Sequence, residues 1–144
     1  MPNFSGRFSG RSNLQTNLSL HDTPGHELSL IQIAGPNMVS DENWKDCNVT
    51  YWISSDLIQG NGQQRGYFIN EHPNGDCDCG TSDAKVTNNN GQITMEGTWR
   101  YTHGRGKFAD ISGNGTFRGR LISPTEVEIQ WDGNYQLATK SKAA

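Results

Sequence analysis

Two carboxylates and a tyrosine in the middle of the chain are the side chains best suited to acid–base chemistry. They are Asp56, Tyr67 and Glu71, which fall on one face of a predicted hairpin together with Trp52. If this face is interior, desolvation raises the pKa of a carboxyl group, which can then act as a general acid or base with the Tyr67 hydroxyl. If it is exterior, these are ordinary solvated residues, and Arg65 could neutralise Asp56 as an ion pair. We predict Asp56, Tyr67 and Glu71 as the catalytic residues.

Cysteine and histidine side chains are the other candidates for chemistry. The run Asp76-Cys77-Asp78-Cys79 holds two kinds of metal ligand, and His72 lies near it, but a four-ligand site needs further Cys or His at defined spacing. The four histidines lack the HxH and HExxH patterns. The three cysteines are an odd number, and Cys77 and Cys79 are too close in sequence for a relaxed disulfide. We therefore expect reduced thiols in a turn, and neither a metal nor an organic cofactor.

Aromatic residues on the C-terminal strands could line a ligand cavity. Those that share one face are Trp99, Tyr101, Phe117, Trp131 and Tyr135. Together with Trp52 they are the predicted substrate-binding residues. A barrel of about eight strands can hold one small ligand, but its interior is also just wide enough to be filled by side chains. A ligand cavity and a filled core therefore both remain open.

Asparagine-glycine pairs mark the turns that must position these residues. Asn90-Gly91 predicts a type I′ hairpin, because that turn needs positive φ at both central positions. The resulting register pairs Val86 with Met95 on one face. It pairs Lys85 with Glu96 on the other face, so apolar residues meet apolar residues and opposite charges meet each other.

A second hairpin lies near the C-terminus. Its predicted loop is Ser123-Pro124-Thr125, where proline ends the first strand by removing a backbone donor. This loop pairs Phe117 with Trp131. It also pairs Arg120 with Glu128. The strand after the loop alternates between apolar and polar residues, which is typical of a wall between an apolar interior and water.

The hairpin that holds the carboxylates alternates less regularly. With Asn61-Gly62 as its type I′ turn, Asp56 lies opposite Tyr67. Trp52 then lies opposite Glu71. Because this face mixes carboxylates with aromatic residues, the pattern leaves open which face is interior.

The predicted fold is all-β, a small antiparallel up-and-down barrel of about eight strands. The hairpins and a further strand from Glu27 to Ile33 give this number, and closure removes the edges that long strands would expose. The predicted single domain spans residues 13–138. Residues 1–12 are either a flexible arm or an added strand, and residues 139–144 are a C-terminal tail.

A glycine-rich run carries a family resemblance. The segment from Gly104 to Phe117, GRGKFADISGNGTF, resembles the G-x-G-x-F-x-x-x-x-G turn of the allene oxide cyclase and dirigent barrels. Glu96-Gly97-Thr98-Trp99 and Trp131-Asp132-Gly133-Asn134-Tyr135 look like segments of bacterial barrels in that superfamily. The resemblance implies an allene oxide cyclase-like barrel whose apolar cavity binds a lipid-like or aromatic molecule without metal or organic cofactor. The matching motif is a structural turn, so the resemblance implies no catalytic residue.

Composition and charge argue against several classes of protein. The formal net charge is −3 and the basic residues are scattered, so we expect neither a nucleic-acid partner nor a membrane partner. The chain has no run of about 18 apolar residues, and its start lacks the apolar block of a signal peptide, which predicts a cytoplasmic location. Glycine and asparagine make up about a fifth of the chain, which argues against a helical bundle.

These observations lead to one leading hypothesis and two alternatives. The leading hypothesis is a cofactor-independent barrel that binds a hydrophobic small molecule in its lumen and acts as an isomerase or cyclase, by restricting the conformation of its substrate. The first alternative is a carrier barrel that binds such a molecule without catalysis. The second is a structural or assembly subunit that packs against copies of itself as a homo-oligomer.

Overall fold

Eight antiparallel strands follow one another around the molecule, and the last pairs with the first to close a barrel. The computed structural model describes residues 3–137. In chain order the strands are β1 (Asn3–Ser19), β2 (His26–Val39), β3 (Asn48–Ile58), β4 (Asn61–Glu71), β5 (Cys77–Asn89), β6 (Gln92–Arg105), β7 (Ser112–Ser123) and β8 (Glu126–Gln136). The prediction of an all-β, up-and-down barrel of about eight strands is confirmed.

Two single turns of 3₁₀ helix lie in the connections between strands at one end of the barrel. They are Glu42–Trp44, between β2 and β3, and Gly106–Phe108, between β6 and β7. Each ends in a fully buried aromatic residue, and the rings of Trp44 and Phe108 lie 5.1 Å apart. Gly106 has a φ of 69°, a conformation that glycine adopts without strain. These two rings cap this end of the lumen.

The register of two predicted hairpins is confirmed. In β5 and β6, Val86 pairs with Met95 and Lys85 with Glu96, around a turn in which Asn90-Gly91 has positive φ at both residues. In β7 and β8, the predicted pairs Phe117–Trp131 and Arg120–Glu128 are also present. The loop between these strands is one residue shorter than predicted, because Ser123 pairs with Glu126 and the register shifts between Leu121 and Ser123.

The predicted register of β3 and β4 is wrong. The type I′ turn lies at Gln59-Gly60, whose φ values are 53° and 82°, and not at Asn61-Gly62. Asp56 therefore pairs with Gln63, and Trp52 with Tyr67. Asn61 is not free to form the turn, because its Oδ1 atom accepts a hydrogen bond of 2.9 Å from the backbone N–H of Asn88 on β5.

This error moves the strands without exchanging their faces. The true register differs by four residues, and an even shift keeps every side chain on the same side of the sheet. Ile53 and Phe68 point into the barrel and are buried. The face that carries Trp52, Asp56 and Tyr67 is the outer surface.

Large inward-pointing side chains fill the lumen, and glycines make room for them. The inward residues buried on the strands include Phe4, Phe8, Val49, Ile53, Phe68, Val86, Met95, Trp99, Tyr101, Phe117, Val127, Ile129 and Tyr135. An added Cβ at Gly6 would lie 2.4 Å from the indole of Trp131, and one at Gly133 would lie 2.6 Å from the indole of Trp99. At each of these positions, an added Cβ would therefore force neighbouring atoms to move.

The N-terminal end of the described chain lies in a strand, and the predicted C-terminal tail lies outside the described residues. Residues 3–12, for which an arm and an added strand were both open, form the first part of β1, so the domain boundary expected at residue 13 falls inside a strand. The predicted tail, residues 139–144, lies outside the described residues. Within residues 3–137, no helix is long and apolar enough to cross a membrane.

Candidate functional site

The lumen contains the predicted substrate-binding residues of the C-terminal strands. Trp99, Tyr101, Phe117 and Tyr135 are buried there, and Trp131 is partly buried against them. The ring centroids of Trp99 and Trp131 are 5.7 Å apart, and those of Trp99 and Tyr101 are 5.1 Å apart, both with edge-to-face geometry. These five side chains therefore share one interior cluster, and their role in substrate binding stays a prediction.

This cluster leaves little free volume. Three of its members, Trp99, Tyr101 and Trp131, line a void together with Tyr51, Phe68 and two asparagines, and this void measures about 20 Å³. A water molecule needs roughly 10–15 Å³, whereas pockets for drug-sized ligands measure about 300–1,000 Å³. Of the two interpretations left open by the sequence, the arrangement of these residues corresponds to the filled core.

A buried carboxylate lies at the capped end of the lumen. Asp78 is fully buried, and its Oδ2 atom accepts hydrogen bonds of 2.9 Å from Nε1 of Trp44 and from Nδ2 of Asn70. Its Oδ1 atom lies 2.7 Å from Nε2 of His72. Asn70 Oδ1 in turn accepts a hydrogen bond of 2.9 Å from Nδ2 of Asn37. Because each carboxylate oxygen is partnered and no solvent reaches it, this network joins elements of the fold and does not form an open reaction site.

The sequence interpretation of the segment around Asp78 needs correction. The turn lies before Cys77, where β5 begins, so Asp78 and Cys79 belong to a strand. The missed signal is the period of two, since Asp78 is in phase with the buried positions Ala84 and Val86.

All three cysteines are free thiols. Burial, together with the neighbouring Cys77 thiol, raises the pKa of Cys79 to about 12. Such a thiol stays protonated and is a poor nucleophile. Among residues 3–137, no group of three His, Cys, Asp or Glu is placed to hold a metal ion.

The predicted catalytic residues lie on the outer surface and do not converge. The Asp56 carboxylate is exposed and lies 2.6 Å from Nε2 of His26, while Arg65 pairs with Asp83 and not with Asp56. Tyr67 and Glu71 are both exposed and four residues apart on β4, roughly 13 Å along the strand. The desolvation that would prepare a carboxyl group for acid–base catalysis is therefore missing at these positions. Their catalytic role stays a prediction.

Trp52 and Tyr67 form part of an apolar groove on the outer surface, which crosses β1 to β4. The groove has a volume of about 470 Å³, within the range of about 300–1,000 Å³ that is usual for ligand sites. Its main apolar walls are Leu14, Leu30, Trp52 and Tyr67, with Gln32 and Arg65 as polar members. Leu14 and Leu30 are each 64% exposed and Tyr67 is 62% exposed. We call this set of residues the outer groove.

Side-chain hydrogen bonds orient the indole ring in the outer groove. Trp52 is 44% exposed, yet its Nε1 atom donates a hydrogen bond of 2.7 Å to Oε1 of Gln32. Gln32 Nε2 donates a hydrogen bond of 2.9 Å to Oδ1 of Asn13. This chain of contacts runs from β3 through β2 to β1, so an exposed aromatic face is held in one orientation by neighbouring strands. Trp52 lies on the opposite face of the sheet from the lumen aromatics. Its predicted role in substrate binding stays a prediction.

One histidine between two carboxylates was missed by sequence reasoning. Nδ1 of His26 lies 2.8 Å from Asp22, and Nε2 lies 2.6 Å from Asp56, so the ring joins the turn before β2 to the end of β3. The hydrogen bond to Asp22, followed by that to Asp56, raises the pKa of His26. We call these three residues the His26 clamp.

Comparison with known proteins identifies no family for this chain. No protein-family model matches the chain, and no curated protein matches it either. The resemblance to the allene oxide cyclase and dirigent barrels therefore stays a prediction.

Proposed function

We propose that this barrel is a binding protein that holds a small hydrophobic molecule in the outer groove and does not transform it. The observation that carries the proposal is the orientation of Trp52, an exposed indole fixed by hydrogen bonds to Gln32 and onward to Asn13. A solvent-exposed aromatic ring that is fixed before binding loses little conformational entropy when a ligand packs on it. The proposal keeps the hydrophobic ligand predicted from the sequence and moves its site from the lumen to the outer surface.

The volumes favour the outer groove over the lumen. The groove offers about 470 Å³, and the void among the lumen aromatics offers about 20 Å³. A ligand in the lumen would have to separate rings such as Trp99 and Trp131, whose centroids are 5.7 Å apart. Cores packed in this way resist added volume, because overpacking costs about 1–3 kcal/mol even for single methylenes.

The chemistry of the groove favours binding over catalysis. Its lining, as far as residues 3–137 define it, contains no carboxylate and no imidazole, and its ionisable groups are Arg65 and Tyr67. An isomerase or cyclase needs an acid or base, or placed dipoles, at the reacting atoms. The carrier alternative is therefore better supported than an isomerase or cyclase.

A second candidate, self-association through the same face, is supported by apolar residues beyond the groove. Leu18 is 60% exposed and Leu28 is 38% exposed, and the two form a cross-strand pair on the outer surface of β1 and β2. Contiguous apolar surface of this kind is typical of interaction sites. If copies of the chain bury this face against each other, the protein acts as a structural or assembly subunit, the second alternative from the sequence.

Titration with phenylnaphthylamine, a neutral dye that fluoresces in apolar sites, tests the proposal. We expect saturable binding that Trp52→Ala weakens about tenfold, the loss expected for one aromatic contact. Leu30→Asp should weaken it further because it places a charge in the groove. Met38→Asp is the matched control, since Met38 is 69% exposed on β2 but lies outside the groove. Equal binding by wild type, Trp52→Ala and Leu30→Asp would refute the outer groove as the site.

Sedimentation velocity over a range of concentrations distinguishes the second candidate. A monomer that binds the dye supports the carrier function. A dimer that Leu18→Asp and Leu28→Asp dissociate, combined with no dye binding by either monomer or dimer, would support assembly and overturn the carrier function.

A further inference from the structure

The outer groove carries a single formal charge. Among the described residues that line it, Arg65 is the one charged side chain, and the others are apolar or uncharged. A ligand that fills the groove therefore meets an apolar surface over most of its length and a guanidinium at one side. We infer that the outer groove selects hydrophobic anions, molecules with an apolar body and one carboxylate, sulfonate or phosphate group, and that Arg65 binds the anionic group. This inference rests on the proposed function and names its ligand class.

The guanidinium of Arg65 has donors available for such a group. Its Nε atom lies 3.2 Å from Oδ1 of Asp83, and its side chain is 76% exposed. Neither Nη atom makes a hydrogen bond to a residue within 3–137. A guanidinium has five N–H donors, so the pair with Asp83 leaves most of them free for a planar or tetrahedral oxyanion.

Asp83 pairs with the guanidinium but does not line the groove. It lies on β5, directly opposite Arg65, on the side away from β3. The positive group is thus nearer to the groove than the negative one. Asp56 is the nearest acid on β3, two residues from Ser54, and it is paired with His26. Charge complementarity at the groove therefore favours an anion over a cation.

The strand register places the anion site next to the apolar walls. Arg65 and Tyr67 are successive outward residues on β4, roughly 7 Å apart along the strand. From Arg65 the row of paired residues crosses Ser54 to Leu30 on β2, a distance of about 10 Å for two interstrand steps. Leu14 lies one strand further, on β1. An apolar body of this length would cover Trp52 and Leu30 while its charged end reaches Arg65.

A pair of dyes with the same aromatic skeleton tests the charge preference. Anilinonaphthalene sulfonate carries a sulfonate that phenylnaphthylamine lacks. We expect wild type to bind the sulfonate more tightly than the neutral dye, and Arg65→Gln to weaken sulfonate binding about three- to fivefold at low salt, the effect of one exposed ion pair. The neutral dye should bind Arg65→Gln and wild type equally. High salt should weaken binding of the sulfonate alone.

Two further variants sharpen the interpretation. Asp83→Asn removes the competing carboxylate and should strengthen sulfonate binding. Arg118→Gln removes an outward arginine on β7 outside the groove and should leave the affinity for both dyes unchanged.

The outcomes distinguish the charge inference from the proposed function. If neither dye binds, the proposed function fails. If the neutral dye binds but the sulfonate is neither preferred nor affected by Arg65→Gln, the charge inference fails and the proposed function stands.

A further experiment distinguishes a dissolved anionic ligand from the headgroups of a lipid surface. Monomeric dodecanoate should displace the sulfonate dye from wild type, and vesicles of anionic phospholipid should not sediment the protein. Sedimentation with such vesicles without displacement by dodecanoate would overturn the inference in favour of a surface-bound headgroup.

Discussion

At the scale of single residues, His26 shows how spatial neighbours give a side chain its role. Its ring touches Asp22 in the preceding turn and Asp56 at the end of β3, at 2.8 and 2.6 Å. In the sequence, His26 only flanks a turn, and its second partner lies 30 residues away. The two carboxylates stabilise the protonated ring, and the pKa of His26 is raised from its usual value of 6.5.

The His26 clamp predicts a stability that depends on pH. Because the pKa of His26 is higher in the folded than in the unfolded protein, its contribution is complete below pH 6.5 and is lost as the pH rises through the folded-state pKa. His26 in turn lowers the pKa of Asp22, whose contribution is present above its usual pKa of 3.8 and is lost at lower pH. We therefore expect the Tm to fall between about pH 6 and about pH 8.

Thermal unfolding and an NMR titration of the His26 ring measure these two quantities. His26→Gln should flatten the dependence of Tm on pH in this range. His21→Gln, at an exposed histidine in the same turn region, should leave it unchanged. A ring pKa at or below 6.5 would contradict the clamp.

At the scale of elements, the Asp78 network joins parts of the chain that no local pattern connects. The carboxylate of β5 binds Asn70 of β4 and the indole of Trp44, and it lies beside His72, which follows β4. Asn37 of β2 extends the network to Trp131 of β8, whose Nε1 atom donates a hydrogen bond of 3.1 Å to it. The capped end of the barrel is therefore held by polar contacts as well as by aromatic packing.

Removing this carboxylate should destabilise the whole barrel. Asp78→Ala leaves the groups of Trp44, Asn70 and His72 without their acceptor, and we expect it to lower the free energy of unfolding by about 3–5 kcal/mol. Asp78→Asn keeps one acceptor oxygen and should cost less. Urea denaturation measures both. Asp110→Ala, at an exposed carboxylate, should change stability by less than about 0.5 kcal/mol. An Asp78→Ala variant as stable as Asp110→Ala would show that the network contributes nothing.

The β3–β4 hairpin shows where prediction at this scale failed. Gly60 and Gly62 both offered a turn, and the local sequence favoured Asn61-Gly62. The deciding contact comes from β5, where the backbone of Asn88 binds the Asn61 side chain. Among residues 3–137, no hydrogen bond from another strand engages the side chain of Asn90, and the predicted register of β5 and β6 is correct. A turn motif predicts register only where no other element uses its side chains.

At the scale of the whole molecule, glycine residues have two roles: some form turns, and others leave space for large side chains in the lumen. Gly6 and Gly133 lie beneath the indoles of Trp131 and Trp99, so that large rings and missing side chains complement each other across the lumen. This complementarity agrees with the small void, about 20 Å³, that Trp99 and Trp131 line together with their neighbours.

A double-mutant cycle tests this complementarity. The three atoms nearest to an added Cβ at Gly6 all belong to the Trp131 indole, so Gly6→Ala should lower the free energy of unfolding by about 1–3 kcal/mol. In a Trp131→Leu background the clash is removed, and the same substitution should cost at least about 1 kcal/mol less. Chemical denaturation of the four proteins gives the coupling. An equal cost of Gly6→Ala in both backgrounds would refute a specific fit between this glycine and the indole.

The sequence by itself determined the all-β class, the number of strands, two hairpin registers and the aromatic composition of the interior. These features follow from alternation and turn chemistry, which act between neighbours in the chain. Only the tertiary structure decided that Trp52, Asp56 and Tyr67 face outward and that Asp78 is enclosed. It also decided that the void lined by Trp99 and Trp131 is small, whereas the outer groove is open. Alternation distinguishes two faces of a strand, but where both faces carry aromatic and polar residues, the direction in which the sheet closes determines which face is buried.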